Sequence, residues 1–366
     1  MKKNHIATAV LLASCSLAQA QSSVTLYGNI DAYIESIRAT GQATQTKVSS
    51  GGLAPTKWGM RGTEDLGGGL KATFKLESST VNADDGSSAG GFNRAAHVGL
   101  SSATFGDIVL GRQNAPMNDA IVWTDTDWGS NFSPNTALLL NNDIAGKGTG
   151  GIYHLRQSNL ISYNTPKFKG FDAKVAFGPG EGAALNAAGT VKARNTLGGS
   201  LRYSEGPMLA TAAFHHGSQD TAAGVNKQDA YNLAVRYDFG IATLSGDYYK
   251  NRNKLANGAE PKLTGAVVGV LVPKGAWAFV AQYGHVTDNG LNIAGIDKGK
   301  GKSDLFNVGA HYYFSKRTIA YVRVARAKDD GNGFNGQAAN AAIGFGGAMP
   351  ANGSAQTVAL GIYHGF

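Results

Sequence analysis

Apolar and polar residues alternate along most of this chain, and this period of two limits the possible folds more than any other feature. In residues 229–239 the side chains at every second position from Tyr231 to Phe239 are apolar or aromatic, and those between them are polar or small. Successive side chains of a strand point to opposite faces, so the pattern predicts strands with one apolar and one polar face. About sixteen such segments follow one another. In residues 304–314 we place Asp304, Asn307 and His311 on the polar face, opposite Phe306.

No apolar run is long enough for a membrane helix, which needs about 18 or more residues. The longest run, near residues 266–272, has the size of a strand. The chain therefore either avoids membranes or crosses them as a closed barrel, in which every backbone group finds a partner. Short turns alternate with long connections rich in Gly, Asn and Ser, as in barrels with turns on one side and loops on the other. The long connections are 41–53, 84–91, 251–261, 288–302 and 329–353.

Both chain ends suggest export and membrane insertion. Residues 1–20 have a basic start, a short apolar stretch and an Ala-Gln-Ala end, which predicts a signal peptide cleaved after Ala20. A lipobox-like run at 12–15 offers an alternative, acylation of Cys15, which we disfavour because strands begin near residue 23. Cleavage removes the single Cys and two lysines, so the formal charge falls from +8 to +6. At the other end, the alternation continues to Phe366, which we expect to close the barrel and to join an aromatic girdle.

Several ordered segments resemble the general porins of Gram-negative outer membranes, especially the neisserial and β-proteobacterial branch. The resemblance spans residues 21–366, and it is carried by order and spacing rather than by any one segment. The matching segments are VTLYGNID at 24–31, KWGMRGTEDLGGGLKA at 57–72, NRAAHVGL at 93–100, FGDIVLGRQ at 105–113, LISYNTP at 160–166 and YHGF at 363–366.

The resemblance implies an all-β fold, a 16-stranded antiparallel transmembrane β-barrel with an inward-folded loop. It also implies a homotrimer in the outer membrane, surrounded by lipid and lipopolysaccharide. The function would be passive diffusion of ions and small hydrophilic solutes, without catalysis, cofactor or metal. Phe366 would act as the signal for the barrel-assembly machinery.

The family's constriction loop corresponds to about residues 114–152, and DAIVWTD at 119–125 matches its pattern, in which the last Asp faces the pore. Opposite it the family has a basic wall; Asn29 stands where some relatives have one more basic residue, so the ladder is shorter here. An acidic loop facing a basic wall produces a transverse field, and we expect modest anion selectivity. By resemblance, the basic residues are Lys57, Arg61, Arg94 and Arg156, and the acidic residues are Asp119, Asp125 and Asp127.

Other functions have weaker support in the sequence. A substrate-specific channel remains an alternative, and a non-conducting adhesive barrel is disfavoured by the long span between Arg112 and Arg156. A barrel enzyme would need a catalytic constellation, and the G-x-S-x-G match at 86–90 lies in a Gly/Ser-rich connection. Residues 125–129 resemble a calcium loop but lack its remaining ligands. The basic charge is spread without a cluster, so we expect no nucleic-acid partner.

Overall fold

The computed structural model describes residues 23–79, 82–83, 91–140, 155–179, 195–221, 224–256, 258–289, 292–293, 296–297, 300–331 and 352–366. The proposed signal peptide, Cys15 and the cleavage site lie outside the described residues. The strands are β1 Ser23–Ala39, β2 Gln45–Ser50, β3 Lys57–Gly67, β4 Leu70–Ser78, β5 Ala95–Ser102, β6 Gly106–Asn114, β7 Arg156–Asn164, β8 Phe171–Gly178, β9 Thr196–Glu205, β10 Met208–Thr221, β11 Gly224–Asp238, β12 Thr243–Lys254, β13 Lys262–Lys274, β14 Trp277–Asp288, β15 Asn292–Ile293, β16 Ile296–Asp297, β17 Gly301–Tyr313, β18 Thr318–Asp330 and β19 Ser354–Gly365. Helix α1 spans Pro116–Thr124, and a π-helical turn spans Asn135–Leu140.

The strands form one closed antiparallel barrel, apart from the small β15–β16 hairpin. One edge of β1 pairs with β19 over residues 29–39. Its other edge pairs with β3 over residues 23–29 and then with β2 over residues 32–37. Because β2 and β3 follow one another along the same edge of β1, they count as one interrupted strand. The barrel therefore has sixteen strands. The predicted 16-stranded barrel is confirmed.

The terminal residue lies at the pair of strands, β1 and β19, where the barrel closes. The Phe366 backbone N–H donates to the Gly28 carbonyl at 2.9 Å, and the Gly28 N–H donates to the Phe366 carbonyl at 3.1 Å. The Phe366 ring lies over Gly28, where a Cβ would come within 2.6 Å of it. The absence of a side chain at Gly28 therefore lets the aromatic end of β19 pack flat on β1.

The outer face is apolar and the inner face polar, which confirms the two-residue pattern. Tyr231, Leu233 and Val235 are exposed on the outside, whereas Asn232 between them is buried inside. One sequence assignment was wrong: Asp304 lies on the outer face with Phe306, where it accepts a hydrogen bond from the Tyr283 hydroxyl at 2.5 Å. The two residues are two positions apart, so a regular strand must place them on the same side.

The two ends of the barrel differ. One end, the turn end, has short connections such as those at Gly206 and Gly240, whose φ angles of 54° and 82° favour glycine. The other, the loop end, carries the long connections. Strands β4–β8 have 8 or 9 residues, whereas β10–β14 have 12 to 15, so the wall is taller on the β10–β14 side. In the part of the chain described, no helix combines the length and the hydropathy that crossing a membrane would need.

Candidate pore constriction

The connection after β6 folds into the barrel and begins with α1. Pro116 occupies the first turn of this helix, where its missing N–H is not needed. The helix buries Met117, Ala120 and Ile121 completely. Its Ala120 carbonyl accepts a hydrogen bond from the Thr211 hydroxyl on β10 at 3.2 Å. The described part of the predicted 114–152 loop, up to residue 140, therefore lies inside the barrel against the wall.

A buried ion pair fixes the turn that follows α1. Asp127 accepts a hydrogen bond from Arg323 of β18 at 2.6 Å, and both side chains are fully buried. Asp127 also accepts hydrogen bonds from Asn307 at 3.0 Å and from the Ser130 hydroxyl at 2.6 Å. His311 of β17 contacts Arg323 and stacks on the Trp128 ring at a centroid distance of 5.2 Å. We call the Asp127–Arg323 pair the loop latch.

Asp125 is a second anchor rather than a pore-facing group. Its carboxylate accepts hydrogen bonds from the Gln282 amide of β14 at 2.6 Å, the Ser133 hydroxyl at 2.7 Å and the Gly129 N–H at 3.0 Å. It is fully buried. Burial, together with the nearby Asp127, raises the pKa of Asp125 to about 6.

The expectation that Asp125 and Asp127 face the pore is therefore wrong. Both carboxylates satisfy backbone and side-chain donors that would otherwise be buried without partners. Sequence reasoning missed those donors, Gln282, Asn307 and Arg323, although all three occupy inner-face positions of their strands. The sequence pattern that could have identified these partners is the row of inward-facing polar residues on neighbouring strands.

Asp119 is the acid that stays partly exposed among the described residues of the loop, and it pairs with a lysine of the wall. Lys174 of β8 lies 2.9 Å from its carboxylate, and the Asn114 amide donates to it at 2.8 Å. The end of α1 is held by two arginines at Trp123. The Arg202 guanidinium lies 4.2 Å from the centroid of the Trp123 ring, and Arg236 donates to the Trp123 carbonyl at 2.8 Å.

Three of the four predicted wall residues come together. Arg94 and Arg156 both act as like-charged neighbours of Lys57, and Lys75 of β4 joins them. Arg156, the first residue of β7, also interacts electrostatically with Asp119 of the loop. We call Lys57, Lys75, Arg94 and Arg156 the basic cluster.

The fourth predicted wall residue, Arg61, adjoins the basic cluster, because it is directly opposite Lys75 in the sheet register and both cations lie over the Tyr27 ring. It is exposed further along β3, with its guanidinium 5.2 Å from the centroid of the Tyr27 ring. Asn29, at the position where some relatives carry a base, is buried and donates to the Pro55 carbonyl at 3.1 Å. It has a structural role at this position.

An acid missed by the sequence reasoning holds the basic cluster together. Glu77 lies 2.7 Å from Arg94 and 3.1 Å from Lys75, and it accepts a hydrogen bond from the Tyr27 hydroxyl at 2.8 Å. Glu77 is two positions from Lys75 on β4, so both lie on the inner face. This spacing could have identified Glu77 as a partner of the wall cations. One carboxylate among four cations leaves an excess of positive charge on this side of the lumen.

Opposite this excess, the part of the loop that the structure describes offers little negative charge. Of the three acids in the described part of the loop, two are buried against the far wall, and Asp119 is paired with Lys174. The site is thus a gap beside a net basic wall, whereas the sequence predicts an acidic loop that faces this wall across the lumen. Among the described residues, no group of three His, Cys, Asp or Glu side chains could hold a metal ion.

Comparisons with known proteins agree with this architecture. A family model described as Gram-negative porin matches residues 7–332. The chain is 33% identical to the outer membrane porin protein 32 of Delftia acidovorans, over the full length of both chains. It is 28% identical to the major outer membrane protein P.IB of Neisseria gonorrhoeae, over 88% of this chain and 92% of that protein.

A solved structure has the same fold. The anion-selective porin from Comamonas acidovorans superposes with a TM-score of 0.80 at 30% identity. The match covers 94% of this chain and all of that structure. The similarity therefore extends over the barrel and is not confined to a few strands.

Proposed function

This chain belongs to the Gram-negative porin family, and on that premise we propose that it is an anion-preferring diffusion channel. As a porin, it is an outer-membrane β-barrel through which ions and small hydrophilic solutes pass passively. The members of this family are channels rather than enzymes. The observation that carries the anion preference is the net positive charge of the basic cluster, whose four cations share Glu77.

The mechanism is electrostatic and local. Fixed charges in a narrow aqueous gap between low-dielectric walls attract counter-ions and exclude ions of the same sign. Screening limits this effect to a Debye length of about 8 Å at physiological salt. The charges at the gap therefore matter more than the net charge of the chain, and the preference weakens as salt rises. The 30% identical Comamonas porin, which is described as anion-selective, supports the same sign.

Reversal potentials in a salt gradient across a planar bilayer test this proposal. We expect the wild type to favour anions. Arg94→Gln/Arg156→Gln should move the reversal potential towards cations, since it removes two of the four cations and leaves Glu77 paired with Lys75. Glu77→Gln should move it the other way. Lys274→Gln/Lys316→Gln, which removes two positive charges from the exposed turn end, is the matched control.

Two results would contradict the proposal. One is a wild type that prefers cations at low salt. The other is a reversal potential that the arginine changes move no further than the control does. A substrate-specific channel is the alternative. It would be favoured by a flux that saturates with concentration and by a reversal potential that responds to only one class of solute.

The partners follow from the family and from the outer surface. We propose a homotrimer whose subunits meet through the apolar outer faces of strands near both termini, where Val24, Leu26, Leu360 and Ile362 are exposed. Lipopolysaccharide surrounds the remaining face, and the barrel-assembly machinery recognises Phe366. A trimer resists mild detergent and dissociates on heating, so an unheated sample that migrates as the boiled monomer does would count against it.

A further inference from the structure

Five cations project outward from the loop end of β11–β13. On β12, Lys250, Arg252 and Lys254 are exposed, whereas Tyr249, Asn251 and Asn253 between them are at most 1% exposed. The same alternation turns one cation of β11 and one of β13 outward. We call the set the basic strip: Lys227, Lys250, Arg252, Lys254 and Lys262.

The strip places like charges side by side. Lys227 is directly opposite Lys254 across β11 and β12, and Arg252 is directly opposite Lys262 across β12 and β13. Like charges in such positions repel each other unless an anion lies between them. A bound anion should therefore lower the electrostatic free energy of the strip.

Nearby acidic side chains neutralise only part of the positive charge of the strip. Glu260 bonds Arg252 at 2.7 Å, and Asp229 is engaged by His216 at 2.6 Å. In the described ranges, the four lysines of the strip form no ion pair. With five cations and two acids, the patch keeps a net charge of about +3 at neutral pH.

An apolar groove on the outer surface adjoins the strip. It has a volume of about 590 Å³ and runs across β8–β11. Tyr231, which borders the groove, is directly opposite Lys250 in the sheet register, so the groove begins where the strip ends. The small side chain of Ala212 leaves room between its larger neighbours. The outward-facing lining residues are Val175, Leu201, Ala212, Phe214, Tyr231 and Leu233.

Cations above an apolar groove fit an amphiphile with an anionic head. Exposed aromatic residues such as Phe214 and Tyr231 mark the level of the membrane interface. The strip lies beyond them at the loop end, which in this architecture is extracellular. The lipid of that leaflet is lipopolysaccharide, whose lipid A carries phosphates and acyl chains.

We propose that the outer face of β8–β13 is a binding site for one lipid A moiety, with phosphates on the basic strip and an acyl chain in the groove. The site lies across the barrel from β2–β5, on the taller wall. It depends on the outer-membrane location of the chain and not on which ions the pore prefers.

Binding of fluorescent diphosphoryl lipid A to the purified protein in detergent tests the proposal. Lys227→Gln/Lys250→Gln/Lys254→Gln should weaken binding by about tenfold or more, since juxtamembrane cations act nearly additively on anionic headgroups. Ala212→Leu fills the groove and should weaken binding by about threefold or more while leaving the strip intact. Lys274→Gln/Lys316→Gln/Arg317→Gln, at the exposed turn end, is the control with equal loss of charge.

Further arms separate the sources of the phosphate. We expect dephosphorylated lipid A to bind at least about tenfold more weakly, and inorganic phosphate at millimolar concentration not to displace the lipid. Equal loss in the turn-end control, equal binding of dephosphorylated lipid A, or displacement by inorganic phosphate would each overturn the lipid A site. Single-channel conductance, measured in parallel, should be unchanged in all variants, so failure of this site is distinguishable from failure of the channel function.

Discussion

The loop latch gives the sharpest test of how the constriction is held. Asp127→Ala removes the charge that neutralises Arg323 and also the acceptor used by Asn307 and Ser130. Removing one partner of a buried ion pair costs about 3–5 kcal/mol, because the other charge remains buried without compensation. Most of this cost should fall on loop docking, since the barrel ladder itself is untouched. Each 1.4 kcal/mol is a factor of ten, so the undocked population should rise by at least about a hundredfold.

Single-channel recording reads out this change. The wild type should show a steady open level, whereas Asp127→Ala should show large open-channel noise and steps to higher conductance, as the loop leaves the lumen. Asp229→Ala removes an acid from the half-exposed outer face and is the control, with no expected change in noise.

A double variant distinguishes the latch from a general loss of stability. Asp127→Ala/Arg323→Met removes both buried charges, and replacing a buried pair by apolar side chains is often neutral or stabilising. The double variant should therefore be quieter than Asp127→Ala, with the wild-type reversal potential, because the pair has no net charge. The latch does not hold the loop if Asp127→Ala conducts as quietly as the wild type, or if the double variant is as noisy as the single one.

Three further predictions concern other parts of the chain. Deleting Phe366, which removes the paired hydrogen bonds with Gly28, should lower the amount of assembled protein in the membrane several-fold without altering the conductance of the channels that form; membrane fractionation with bilayer recording checks this. Intact-mass measurement should find a mature chain that starts at Gln21 and has no lipid on Cys15, and an acylated mass would exclude the proposed cleavage site. The raised pKa of Asp125, about 6 against an ordinary 3.8, means that the docked loop binds this proton more tightly than the undocked loop, so docking is most stable below about pH 4 and weakens as pH rises through 6. Open-channel noise should increase over that range, and Asp125→Asn should remove the increase without moving the reversal potential.

The barrel could be predicted from the sequence because its signal is local and repeated. The apolar positions from Tyr231 to Phe239 need only the strand period to be assigned to the outer face, and the structure exposes them there. The same period, continued to the last residue, predicts a terminal strand, although its pairing with Gly28 is visible only in the structure. Asp304 was misplaced because its polarity was given more weight than its position, although a charged residue beyond the apolar belt can face outward.

The constriction was harder to predict because its geometry depends on contacts between residues far apart in sequence. Asp127 and Arg323 are 196 positions apart, and Asp125 and Gln282 are 157 apart. No periodicity within the loop shows whether a carboxylate turns towards the lumen or towards the wall. The resemblance placed Lys57, Arg94 and Arg156 in one region, but Glu77 entered the site only through its contacts with Arg94 and Lys75.

The burial of Asp125 and Asp127 separates two roles that the sequence assigned to one set of acids. These carboxylates hold the loop in place, and because Arg323, Gln282 and Asn307 satisfy them, they contribute little field in the lumen. The sign of the lumen charge is then decided on the other side of the gap, where Glu77 offsets one of four cations. A change at Asp127 should therefore alter the size and steadiness of the channel, and a change at Arg94 or Glu77 should alter its ion preference. If one substitution at the latch changed both properties in parallel, the two sets of charges could not be independent, and the division of roles would have to be abandoned.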